Sequence, residues 1–99
     1  MKPGISFEDF SLSTKKDAPP SGLSSALEAL WHLKKGDWDK AHEFAQKDEG
    51  VNGSWVHALL HRIEGDEGNA DYWYGKAGKK KSVHPTDEEW AEIAKALLP

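Results

Sequence analysis

The sequence predicts an all-α domain of five helices, arranged as two repeated antiparallel helical hairpins plus a C-terminal capping helix. Two Gly-Asp steps, at 36–37 and 65–66, are the main support for this prediction. Glycine ends a helix in the left-handed conformation, and the aspartate that follows can cap the next helix. Around both steps apolar residues recur at three- and four-residue spacing, the period of a helix with one buried face. The sequence shows no alternation typical of a strand.

Residues 1–21 are predicted to form a flexible N-terminal arm, and residues 22–99 a single helical domain. The consecutive prolines at 19–20 disfavour helix in the arm, which also lacks a helical period. Phe7 and Phe10 are the apolar side chains of the arm that could pack against the domain.

The first predicted hairpin is centred on Gly36 and Asp37. Its first helix should begin near residues 21–25, since Ser25 and Glu28 have the spacing of a capping box, and should end at Gly36. Asp37 then caps the second helix, which should end near residues 47–50. The side chains predicted to face inward are Leu23, Ala26, Leu27, Leu30, Trp31 and Leu33 in the first helix, and Trp38, Ala41, His42 and Ala45 in the second.

The second predicted hairpin follows a turn at residues 51–54, with Ser54 as the cap of the third helix. Gly65 ends that helix and Asp66 caps the fourth. A further capping box at 86–89 begins the fifth helix, which should close the open side of the hairpins. The side chains predicted to face inward are Val56, Leu59, Leu60 and Ile63 in the third helix, Ala70, Trp73, Tyr74 and Ala77 in the fourth, and Trp90, Ile93, Ala94, Leu97 and Leu98 in the fifth.

The two hairpins repeat each other, since Gly65 lies 29 residues after Gly36 (65 − 36). This offset is inside the range of helical-hairpin repeats. The residues identical at this offset are Leu30 and Leu59, His32 and His61, Gly36 and Gly65, Asp37 and Asp66, Ala41 and Ala70, and Lys47 and Lys76.

The repeated pattern resembles the tetratricopeptide repeat, and residues 69–77 are similar to the second helix of the short-hairpin relatives of that family. The resemblance spans about half the chain, with two degenerate repeats and a period shorter than the usual one of about 34 residues. It implies that the chain binds a protein or peptide in a groove. The residues that carry it are Gly36, Asp37, Trp38, Ala41 and Ala45 in the first repeat, and Gly65, Asp66, Ala70, Tyr74 and Ala77 in the second.

The composition excludes several classes of protein. The 99 residues include no cysteine, which excludes a disulfide scaffold, a thiolate metal site and a cysteine nucleophile. A net charge of −4 argues against nucleic acid as a partner, and the lysines at 76 and 79–81 are interpreted as a solvated connector. Without a signal sequence or a bilayer-length apolar run, we expect a cytoplasmic protein with no membrane partner. Motifs of nucleophilic or phosphate chemistry are also missing, which favours a protein that is not an enzyme.

The histidines are the most chemically suggestive residues. His57, His61 and Glu64 share one face of the third predicted helix, turned away from its apolar centre and therefore expected outside the core. His42 lies on the apolar face of the second helix. If these two helices fold back about residues 50–51, His42 lies level with the two histidines of the third helix. Three imidazoles could then converge, with a carboxylate of Glu43 or Glu64 nearby.

Two hypotheses about function follow. The first is a small protein- or peptide-interaction module without a cofactor, whose partner is a protein, a peptide or a second copy of the chain. Its lining would include His57, His61, Arg62 and Tyr72, although Arg62 could instead belong to a local salt-bridge lattice. The alternative is a site for zinc or another divalent transition metal, or a hydrolytic site, in which three histidines leave one position open. Its ligands would be His42, His57 and His61, with Glu64 as an additional ligand or base.

Overall fold

A computed structural model describes residues 5–98, and every regular element in that range is an α-helix. None of the helices in that range is long and apolar enough to cross a membrane. The helices are α1 (Phe7–Ser13), α2 (Ser25–Lys34), α3 (Trp38–Lys47), α4 (Val51–Ile63), α5 (Glu67–Ala77) and α6 (Thr86–Leu97).

The Gly-Asp steps end and restart helices as predicted. Gly36 and Gly65 have φ values of 88° and 85°, in the left-handed region that residues with a Cβ rarely adopt. The carboxylate of Asp37 accepts a hydrogen bond from the Lys40 amide at 3.0 Å, and that of Asp66 accepts one from the Asn69 amide at 3.2 Å. Each step therefore joins two helices by a tight link, α2 to α3 and α4 to α5.

Helix α4 lies at the centre of the fold. It packs against α5 and α3 and also contacts α2 and α6, whereas α2 packs mainly on α3. The sequence placed the start of this helix at Ser54, but α4 begins at Val51, behind an N-cap at Gly50 without a capping side chain. Ser54 is consequently buried inside the helix. This additional turn lengthens the surface that α4 offers to its neighbours.

The prediction of five helices is wrong, because the described residues form six. The additional helix, α1, lies within the stretch predicted as an arm, before the prolines at 19–20. It spans only 7 residues, too few to show a period, and Ser6 caps it by accepting the Asp9 amide at 3.1 Å. The all-α class of the prediction is confirmed for the described residues. Residues 1–4 of the predicted arm and Pro99 lie outside the described residues.

Tertiary contacts account for α1. Phe10 is completely buried, and its ring stacks on Trp90 of α6 at 5.7 Å between centroids. At the end of α1 the Ser13 hydroxyl accepts a hydrogen bond from the Trp31 indole at 3.2 Å. Both partners are distant in sequence, so a local pattern cannot reveal them. The core joined in this way includes Phe10, Leu27, Leu30, Trp31, Val56, Leu59, Leu60, Trp90 and Ile93.

Candidate metal centre

Three histidines meet where α3 packs against α4, and we call His42, His57 and His61 the histidine cluster. His42 extends from α3, and the other two lie one turn apart on α4. The ring centroids are separated by 4.5 Å for His42–His57, 5.6 Å for His42–His61 and 4.9 Å for His57–His61. One ring nitrogen of each lies within 4.8 Å of those of the other two. The structure thus brings together the three side chains that the hairpin register placed at one level.

The burial of the cluster differs from the expectation. His57 and His61 are only 4% and 7% exposed, whereas His42 is half-buried. The prediction that the two α4 histidines lie outside the core is therefore wrong. It treated α4 as a helix with one covered face, but four other helices contact α4 and leave it little free surface.

Two tryptophans hold the imidazole planes in place. The Trp38 ring stacks on His42 at 5.0 Å with 13° between planes, and its indole N–H donates to the Leu60 carbonyl at 2.9 Å. Trp73 of α5 stacks on His57 at 3.8 Å and 12°. Stacking on these two tryptophans therefore orients the imidazole rings of His42 and His57. The spacing of Trp38 one turn before His42 could have revealed the first contact, whereas the second depends on how α5 packs.

A carboxylate contacts the cluster from the end of α4. Glu64 Oε1 lies 2.6 Å from Nδ1 of His61, in hydrogen-bonding distance. Since Nδ1 is occupied in this way, Nε2 is the nitrogen of His61 that is available to another ligand. Glu43, the other carboxylate that the sequence suggested, is exposed on α3.

The environments of His42 and His57 favour neutral imidazole. Burial, with smaller contributions from the nearby His42, His61 and Lys76, lowers the pKa of His57 from 6.5 to about 4. Burial also lowers the pKa of His42, with a smaller contribution from His61, against the opposing effect of Glu64 and Asp39. Neutral imidazole is the form that coordinates metal ions.

A cleft of about 250 Å³ adjoins the cluster at His57. The sequence analysis did not identify it, because its walls come from α3, α4, α5 and the link between α3 and α4. The residues that line it are Gln46, Asp48, Glu49, Ser54, His57, Trp73 and Lys76.

The contacts of the other two predicted lining residues are to groups outside the cluster. Arg62 donates to Glu89 of α6 at 2.6 Å and to the His84 carbonyl at 2.6 Å. The second oxygen of Glu89 accepts from the Tyr74 hydroxyl at 2.6 Å, so Arg62 belongs to a buried link between α4, α5 and α6. The sequence analysis suggested salt bridges between Arg62 and residues close to it in the chain. Its partner is instead Glu89, which is 27 residues away. Tyr72 is exposed on α5.

The chain matches no protein-family model, no curated protein sequence and no solved structure.

Proposed function

We propose that this chain binds a divalent transition metal ion, zinc being the closest fit, through His42, His57 and His61. The observation that carries the proposal is that one nitrogen from each ring already lies within 4.8 Å of the others. Zinc binds imidazole nitrogen at about 2.0–2.1 Å, so ligands on a tetrahedral ion stand roughly 3.3 Å apart. The three nitrogens would have to approach one another by at most about 1.5 Å to reach that spacing.

The chemistry of the donors also supports zinc. Imidazole suits zinc, copper and nickel, whereas magnesium and calcium prefer oxygen ligands. The His57 ring, which is buried and neutral, need not lose a proton before it coordinates. Three imidazoles leave one tetrahedral position for water, as in catalytic zinc sites. That water is the nucleophile required by the hydrolytic form of the proposal.

The metal proposal predicts that the purified protein binds one zinc ion per chain and that His42→Ala weakens binding by more than about 100-fold. Loss of an outer-shell group alone typically weakens binding by 10–100-fold, so loss of a direct ligand should exceed that. His42 is the variant of choice because it is half-buried, and its replacement disturbs the core less than that of His57. Calorimetric titration with zinc measures affinity and stoichiometry.

The control is His84→Ala, which removes a histidine outside the cluster that pairs with Glu92 on the surface at 3.0 Å. It should bind zinc like the wild type. The proposal fails if the wild-type protein takes up no zinc, or if His42→Ala binds zinc as tightly as the control does.

A specific observation favours a second candidate function, self-association through a protein-binding surface. An apolar groove of about 320 Å³ lies between the α2–α3 link, the end of α4 and the start of α6. Leu33, Trp38 and Ile63 line it, with Lys34 and Asp87 among its charged residues. We propose a second copy as the occupant, because the groove carries one cation, Lys34, and one carboxylate, Asp87, so that two copies related by a two-fold axis offer each other opposite charges.

Self-association predicts a mass that rises with concentration in analytical ultracentrifugation. Ile63→Glu should make the protein monomeric, because the side chain is 41% exposed at the groove and a charge there opposes burial. Val83→Glu is the matched control, since Val83 is 92% exposed outside the groove. A wild-type protein that stays monomeric at millimolar concentration contradicts this second candidate and leaves the metal proposal unaffected.

A further inference from the structure

Glu64 occupies a defined position relative to the histidine cluster. It is the C-cap residue of α4, and its backbone N–H donates to the Leu60 carbonyl at 3.2 Å. The spacing of three residues places its side chain beside His61, and Oε1 lies 2.6 Å from Nδ1. The side chain of His61 is 9% exposed and that of Glu64 is 40% exposed. The contact therefore joins a buried ring to a partly solvated carboxylate.

We infer that Glu64 is a positioning residue, which holds His61 with the proton on Nδ1 and the lone pair of Nε2 free for the metal. A carboxylate can only accept a hydrogen bond, so a neutral ring that bonds to it must carry its proton on Nδ1. The other tautomer has an N–H at Nε2 and cannot coordinate through that atom. Carboxylates that accept from a metal-binding histidine fix its ring and raise its basicity. The inference rests on the proposed metal site.

The alternative role for Glu64 is that of a direct ligand, which the sequence analysis also considered. His61, Glu64 and Asp66 do form a second group whose possible ligand atoms lie within 4.8 Å of one another. However, Asp66 already accepts the Asn69 amide as the cap of α5. Nδ1 of His61 cannot donate to Glu64 and bind a metal at the same time. Both carboxylates are also on exposed residues, whereas His57 and His61 are buried.

Three variants separate these roles. Glu64→Ala removes the hydrogen bond and the charge, Glu64→Gln keeps an acceptor for Nδ1 without the charge, and Asp66→Asn keeps a capping side chain. We expect zinc affinity to fall by about 10–100-fold in Glu64→Ala, by less in Glu64→Gln, and to change little in Asp66→Asn. Equal losses in Asp66→Asn and Glu64→Ala would indicate that the metal binds to His61, Glu64 and Asp66, and would overturn the inference. So would wild-type affinity in Glu64→Ala.

A spectroscopic measurement on the metal-free protein tests the tautomer directly. Nitrogen NMR distinguishes a protonated Nδ1 from a protonated Nε2 in the ring of His61. We expect the Nδ1–H form in the wild type and a shift towards the Nε2–H form in Glu64→Ala. An Nε2–H form in the wild type overturns the inference even if zinc binds. If the tautomers behave as expected but no zinc binds, the metal proposal fails while the orienting contact stands.

Discussion

Replacement of Gly53 by alanine is expected to lower the free energy of unfolding by about 3 kcal/mol, the upper end of the usual range for overpacking. A Cβ at this position would lie 1.8 Å from the Asp48 carbonyl oxygen and 2.7 Å from its carbonyl carbon. These are backbone atoms of the link between α3 and α4, so they cannot move aside as the end of a side chain can. The link would have to shift, although alanine is otherwise the better helix former.

Gly75→Ala is the matched control, because Gly75 lies within α5 and a Cβ there meets nothing within 4 Å. That change should stabilise the protein by about 0.5–1 kcal/mol. Urea denaturation of both variants gives the comparison. Equal stability of Gly53→Ala and the wild type would contradict the close approach of α4 to Asp48. Since this link sets His42 opposite the α4 histidines, a folded Gly53→Ala protein should also bind zinc more weakly.

Acidification of the metal-free protein should produce the second large effect, because protonation of His57 is easier in the unfolded chain than in the folded protein. We expect the free energy of unfolding to fall by at most about 3 kcal/mol, since each pKa unit corresponds to about 1.4 kcal/mol. In the folded protein the pKa of His57 is lowered from 6.5 to about 4, mainly by burial. Between these values the unfolded chain binds a proton that the folded protein does not. The contribution is therefore complete above pH 6.5 and is lost as the pH falls from 6.5 to 4.

Urea denaturation at a series of pH values from 7 down to about 4, the folded pKa of His57, measures this effect. His57→Gln keeps a polar side chain that does not titrate, so its stability should depend less steeply on pH across that window. His84→Ala, which changes a surface histidine, should retain the wild-type slope. A His57→Gln protein with the same slope as the wild type would show that His57 does not resist protonation in the folded state.

The position of the histidine cluster could be predicted because it depends on local information. A helix has 3.6 residues per turn, so His57 and His61 must share a face. The short link at residues 48–50 then sets which level of α3 lies opposite them, and that level contains His42. Helix α1 could not be predicted in the same way. Its stability depends on Phe10 reaching Trp90, a contact between residues far apart in the chain.

The sequence alone determined a helix end wherever one or two residues are enough to stop one helix and cap the next. Gly36 and Gly65 can adopt positive φ, and the aspartate after each can accept an amide hydrogen bond. Burial was decided only by the tertiary structure, because it depends on every neighbour of a residue at once. Helix α4 contacts four other helices, so its polar face became part of the interior. For that reason the histidines expected at the surface lie in the core, where burial keeps His57 neutral.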